Sequence, residues 1–243
     1  MPQTPMDPIQ VILAWGMGCF PEAARSSIGP GGFGVCAMGI AERLWQENRE
    51  LAQACLEHPF VQGIASGELP RPKFNFYVAQ DAYFLEAFAR AYALAMAKCQ
   101  DPEGLRAWKE LLDGVFQELG LHEGYARSWG IELTPEPAPA TLAYTDFLLR
   151  VAALEPVGHI AAAQAPCMRL YAYLGQSLKP VARPQSPYIE WVRTYGSPEF
   201  DALARRLEEL LDRYGGEGLR LSHLYRRAMV LEYAFFEAAW GSG

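Results

Sequence analysis

Apolar residues recur every three or four positions along most of the chain, the period of a helix with one buried face. Leu44, Leu51, Cys55 and Leu56 keep that spacing up to a break at Pro59. Phe74, Tyr77, Val78, Leu85 and Phe88 continue it, with Asp81 in the same stripe, and predict a long helix over 73–98. Asp101-Pro102-Glu103 announces the next helix with a capping residue, a first-turn proline and an early acid. Its expected stripe is Leu105, Trp108, Leu112, Val115, Phe116 and Leu119. Pro135, Pro137 and Pro139 mark a loop before a helix over 140–153, and another helix is expected over 156–178. A proline-rich linker over 179–187 follows. Ser197-Pro198-Glu199 then caps a helix reaching Arg213, and 219–240 reads as the last helix. No stretch alternates with period two and no repeat of 20–50 residues is visible, so the expected fold is all-α, a single bundle-like domain.

The first 37 residues differ from this pattern. They hold Pro2, Pro5, Pro8, Pro21 and the run from Gly29 to Gly34, with neither a GxGxxG fingerprint nor a phosphate-loop lysine. A flexible tail over 1–37 is expected, with the helical domain over 38–243. Because helical patterning begins at Met38, a mis-assigned start codon is an open reading of the tail.

Charge narrows the partners. The 243 residues carry a net charge of −7, so neither a nucleic-acid surface nor an anionic membrane surface is expected. Arg205-Arg206 and Arg226-Arg227 read as solvated helix faces. Cys19, Cys36, Cys55, Cys99 and Cys167 are scattered and show no CxxC pair, which argues against a disulfide scaffold or a zinc site and for free thiols. No apolar run is long enough to cross a bilayer. Val11 to Phe20 follows Asp7 rather than a basic segment and does not read as a secretory signal. The expected location is cytoplasmic.

Three residues carry candidate chemistry. Cys167 and Tyr171 share a helix face, and Pro166 points to a kink or break just before the thiol. A thiol at a freshly opened helix N-terminus would be stabilised as thiolate; the alternative is one more small buried side chain. Asp81 interrupts an apolar stripe, and Glu232 falls among Met229, Val230, Phe235 and Phe236. A carboxyl in such a setting has its pKa raised and can move protons near neutrality. For both, an exposed carboxylate on an amphipathic helix is the competing reading. His58, His122, His159 and His223 show no metal spacing, and Glu118 with His122 reads as a structural i,i+4 hydrogen bond. ExxH pairs of the di-iron kind are missing.

Taken in order, several segments resemble the TenA family, also called thiaminase II. They are Gln80-Asp81 with Phe88-Ala89-Arg90, Ala143-Tyr144-Thr145, Pro166-Cys167-x-x-Leu170-Tyr171, Trp191-Val192-x-Thr194-Tyr195-Gly196, and Glu232 with Tyr233 and Phe235. The resemblance runs from about Met38 to Trp240. It implies a haem-oxygenase-like helical fold without haem, a homotetramer, and no metal or organic cofactor. It implies hydrolysis of 4-amino-5-aminomethyl-2-methylpyrimidine to the hydroxymethylpyrimidine, and cleavage of thiamin to that pyrimidine and a thiazole. Carried over by position, Cys167 matches the nucleophile, Glu232 the acid/base carboxylate, and Asp81 the acid that binds the pyrimidine amino edge and helps activate the thiol. Tyr144 and Tyr171 match pocket hydroxyls, and Tyr195 an aromatic that stacks on the ring. One departure is Phe84, where the thiaminases often carry tyrosine; Tyr83 beside it substitutes only if the helix register rotates. This puts activity on thiamin in question more than the pocket. A pyrimidine-binding or regulatory protein without turnover is the alternative, and a haem or di-iron oxidase on a related bundle a second.

Overall fold

The computed structural model describes residues 38–133, 135–216 and 218–242; the expected tail over 1–37 lies outside them. Ten helices follow one another among the described residues: α1 Ile40–Gln46, α2 Arg49–Glu57, α3 Pro59–Ser66, α4 Arg71–Lys98, α5 Pro102–Trp129, α6 Pro139–Leu154, α7 Val157–Leu178, α8 Ile189–Tyr195, α9 Pro198–Tyr214 and α10 Leu219–Gly241. The all-α expectation holds. The long elements fall within a residue or two of the patterned stretches, because capping residues stand at their ends. Asp101 accepts from the Gly104 N–H at 2.9 Å, Ser197 from the Phe200 N–H at 3.1 Å, and Gly130 ends α5 with φ 68°.

Two short helices escaped the pattern. Pro59 ends the preceding stretch, yet it also starts α3, with the His58 ring accepting from the Phe60 N–H at 3.1 Å. Helix α8 is only seven residues long, too short to show a period. The expected stripe on α5 is also shifted. Trp108, Leu111 and Val115 are buried, whereas Leu105 and Phe116 face outward, Phe116 at 59% exposure. Each lies one residue, about 100°, round the helix from the seam.

Helix α7 lies at the centre, packed by α9, α10 and α8. It can do so because small residues line it: Ala161, Ala162, Ala163, Ala165 and Ala172 are all buried. At Gly175 the backbones nearly touch, since a Cβ there would lie 2.3 Å from the Tyr195 carbonyl carbon and the Gly196 nitrogen. That close approach seats the end of α8, and with it Tyr195, against α7. Among the described residues no helix is long and apolar enough to cross a membrane.

Candidate active site

Six helices bring the site together. Helix α4 supplies Asp81 and Phe84, α5 Glu118 and His122, α6 Tyr144, α7 Cys167 and Tyr171, α8 Tyr195, and α10 Glu232. Asp81 and Glu232 are both buried, so the exposed-carboxylate alternative is excluded for each. Of Glu232's expected neighbours, Met229, Phe235 and Phe236 are buried and Val230 is exposed. Asp81, Phe84, Cys167, Tyr171, Tyr195 and Glu118 line one small, tight cleft.

The thiol and the carboxylate of α10 meet. Cys167 lies within hydrogen-bonding reach of Glu232, and the Tyr144 hydroxyl donates to Glu232 Oε1 at 2.6 Å. Burial pushes Glu232 up to about 7; the Tyr144 and Cys167 hydrogen bonds pull it back, and the Asp81 charge adds to the rise. Burial also pushes the Cys167 thiol well above its ordinary value, and the charges of Glu232, Glu118 and Asp81 reinforce this. The resting pair is therefore a neutral thiol beside a carboxyl poised at neutrality.

This corrects one expectation. Pro166 does not open α7; it sits inside a helix that runs unbroken from Val157 to Leu178. Cys167 is thus mid-helix, where no freshly exposed N–H groups lower its pKa. A proline inside a helix removes one backbone hydrogen bond, but neighbours packed along α7 hold the backbone in place. No helix dipole therefore acts on the thiol, and the ionisable group it meets is Glu232.

The aromatic residues divide by partner. The Trp191 indole donates to the Tyr77 hydroxyl at 3.2 Å, which donates to the Tyr171 hydroxyl at 3.1 Å. Tyr171 and Tyr195 pack edge to face at 4.8 Å. The Phe84 ring sits 4.8 Å from that of Tyr144 and 6.0 Å from that of Phe235, deep in the wall of the site. Tyr83 is 36% exposed, so the register does not rotate and its hydroxyl does not replace the one absent at position 84.

Sequence reasoning missed the partner of Asp81. His122 is buried, and its Nε2 lies 2.8 Å from Asp81 Oδ2 while Nδ1 lies 2.9 Å from the Glu118 backbone oxygen. Glu118 accepts from the Tyr195 hydroxyl at 2.5 Å. The Glu118–His122 spacing was visible, and its i,i+4 backbone contact exists, but nothing local pointed to a residue 41 positions away. Among the described residues no group of three or more His, Cys, Asp or Glu is arranged to hold a metal ion.

An all-helical bundle enclosing a cysteine–glutamate pair and a buried aspartate defines a class of small-molecule enzyme pocket, and the comparisons place it. The chain belongs to the TENA/THI-4/PQQC family, whose model matches residues 45–242. It is 34% identical over 215 residues to the aminopyrimidine aminohydrolase of Halalkalibacterium halodurans, covering 84% of this chain and 96% of that one. It is also 34% identical over 224 residues to the bifunctional TH2 protein of Arabidopsis thaliana, but there it spans 36% of the relative's length against 81% of its own. The TenA homologue of P. horikoshii OT3 superposes with a TM-score of 0.78 at 31% identity, over 85% of this chain and all (100%) of that one. The architecture is the haem-oxygenase-like bundle.

Proposed function

We propose that this chain is an aminopyrimidine aminohydrolase of thiamin salvage, converting 4-amino-5-aminomethyl-2-methylpyrimidine to its hydroxymethyl counterpart through Cys167 and Glu232. The observation that carries the proposal is the contact between a cleft-lining thiol and a carboxyl raised to about 7 by burial, with the Tyr144 hydroxyl anchoring the carboxyl. A pocket that only bound the ring would need no nucleophile beside a proton acceptor.

The chemistry follows from that pair. As Cys167 sulfur bonds to the ring carbon next to the substituted one, its proton passes to Glu232 and the ring π electrons shift toward ring nitrogen and the amino-bearing carbon. That electron density then expels the group on the exocyclic methylene, and Glu232 returns a proton so that it leaves as a neutral amine. Water adds to the methylene, the carbon–sulfur bond breaks, and the thiol recovers its proton. One difficult displacement becomes two easier steps. Asp81 is the acceptor for the amino edge of the ring, Tyr195 stacks on it, and Tyr171 orients it through the Tyr77–Trp191 hydrogen-bond chain.

Thiamin cleavage is the slower activity in this reading, because Phe84 leaves the site without one hydroxyl. A homotetramer located in the cytoplasm, with neither nucleic acid nor membrane as partner, completes the proposal. The test is incubation with the aminomethylpyrimidine, its formyl derivative and thiamin, followed by chromatography. Hydroxymethylpyrimidine formed by the wild type but not by Cys167→Ser supports it; no product from any of the three substrates overturns it.

A further inference from the structure

Half-buried Glu118 and buried His122 stand one turn apart on α5, facing α4 and α8, and neither touches the thiol–carboxylate pair described above. Both ring nitrogens of His122 face acceptors: Nδ1 the Glu118 backbone carbonyl at 2.9 Å, Nε2 the Asp81 carboxylate at 2.8 Å. A carbonyl oxygen can only accept, so Nδ1 carries a proton. An ionised Asp81 requires a second proton on Nε2, which makes the ring an imidazolium. The Glu118 side chain lines the same cleft as Asp81 and accepts from Tyr195.

We propose that His122 and Glu118 are positioning residues, His122 holding Asp81 as an oriented anion toward the amidine edge of the aminopyrimidine, and Glu118 keeping His122 charged while fixing the Tyr195 ring. This rests on the reading of Asp81 as the acceptor of that edge. The chemistry matches: an exocyclic amino group beside a protonated ring nitrogen presents two parallel N–H bonds, and an anionic carboxylate accepts both. A second acceptor direction on Oδ2 remains available to the ring while His122 occupies the first.

The charge state agrees with the geometry. Burial pulls His122 down, but its hydrogen bond and attraction to Asp81, followed by Glu118, reverse this and leave it raised to about 9. Burial and repulsion from Asp81 raise Glu118 to about 7, against the pull of His122 and the Tyr195 hydroxyl. The titratable groups that face His122 are Asp81 and Tyr77 from α4, Glu118 and Tyr125 from its own helix, and Tyr195 from α8. Helices α7 and α10 bring Cys167 and Glu232 to the other side of Asp81. Near pH 9 Glu118 is ionised, so it adds to Asp81 in retaining the His122 proton there.

Calorimetric binding of the hydroxymethylpyrimidine, with kcat and KM for the aminomethylpyrimidine, tests this between pH 6 and 10. Expected for His122→Gln is a Kd and KM weakened roughly tenfold with kcat changed less than about threefold, the scale of one charge-assisted hydrogen bond. Asp81→Asn should lose at least as much, and the Asp81→Asn/His122→Gln pair no more than Asp81→Asn alone. Glu118→Gln keeps the acceptor for Tyr195 but removes the anion, so the alkaline loss of binding, near pH 9 in the wild type, should move about one pH unit lower. Independent losses from Asp81 and His122 that add, or an alkaline limb unmoved in Glu118→Gln, overturn the proposal. If His122→Gln does not fold, the Glu118→Gln limb decides alone. An Asp81→Asn variant that binds like the wild type sinks the assigned role of Asp81 instead, and is read from that variant by itself.

Discussion

Replacing Glu232 by glutamine separates what this carboxyl does for chemistry from what it costs the fold. Glutamine keeps the shape, and its carbonyl can still accept from the Tyr144 hydroxyl now 2.6 Å from Oε1, but it cannot take a proton from Cys167. The thiol is held well above its ordinary pKa, first by burial, so almost none of it is thiolate at neutral pH without a base. Removing the Glu232 charge relieves one contributor to that rise, while burial remains. Loss of a general base costs roughly a hundredfold or more, and that is the expected fall in kcat. In the wild type, kcat/KM should climb tenfold per pH unit to a plateau that begins above about 7, where Glu232 is ionised, and ends near 9, where His122 loses its proton. In Glu232→Gln that limb should vanish, and the residual rate should keep rising into alkali as solvent base takes over. The fold responds in the opposite sense. Glu232 has a folded pKa of about 7 against an ordinary 4.5, so between those values the native state binds more protons than the unfolded chain. Stability is fully present below 4.5 and falls as pH rises through 7. Once both states are ionised the loss is about 3 kcal/mol, an order-of-magnitude figure from the pKa difference. Glutamine does not ionise, so at pH 8 the variant should melt about 5–10 °C higher. Scanning calorimetry at pH 5 and pH 8, beside pH–rate profiles, checks both halves. A variant that keeps the wild-type plateau, or that melts lower than wild type at pH 8, refutes the assignment of Glu232 as a buried base.

Three further outcomes follow from the same geometry. Cys167→Ser should abolish hydrolysis with unchanged helical circular dichroism, since a serine hydroxyl is a far weaker nucleophile at neutral pH; turnover within a few-fold of wild type would end the covalent mechanism. Phe84→Tyr should raise the ratio of thiamin to aminomethylpyrimidine kcat/KM by about two- to twelvefold, the worth of one pocket hydrogen bond, and a ratio that stays flat means position 84 does not discriminate between leaving groups. Gly175→Ala would put a Cβ 2.3 Å from α8 backbone atoms. It should cost about 1–3 kcal/mol in urea melts and raise KM through a displaced Tyr195, whereas wild-type stability would show that α8 yields freely.

The helices were legible because their signals are local. Asp101 and Ser197 stand at ends that three-residue patterns already mark, and Phe74 to Phe88 repeat over four turns. Signals failed where the determinant lies outside the window. Helix α8 completes only about two turns, and its place is set by Gly175 on another helix. Phe116 fits the apolar period of α5, yet the position of α4 decides which face is covered. The site shows the same division. Cys167, Tyr171 and Glu232 could be nominated from residue type and spacing. Whether Asp81 and Glu232 were buried turned on a rotation of about 100°, which sequence alone does not resolve.

Pro166 offers, in the sequence, one route to an activated thiol, because an isolated helix breaks at proline. Inside a packed bundle the loss of one hydrogen bond is small against burial on several sides, and the helix continues. That reversal changes the chemistry as well as the geometry. A thiol at a helix N-terminus would stand ready as thiolate in the empty enzyme, reactive toward any electrophile that entered. A mid-helix thiol beside a carboxyl of pKa about 7 stays protonated at rest, and in the proposed mechanism it loses its proton only as the carbon–sulfur bond forms. Selectivity then comes from coincidence: the ring must be held while Glu232 is ionised before the sulfur becomes nucleophilic. In the proposed reading Asp81, across the cleft, holds the ring, and His122 contacts Asp81 at 2.8 Å. The two ends of the site are thus tuned in opposite directions by one environment. Burial makes the Glu232 end reluctant to ionise and so able to shuttle protons, while His122 at the other end keeps a charge that burial alone would have removed.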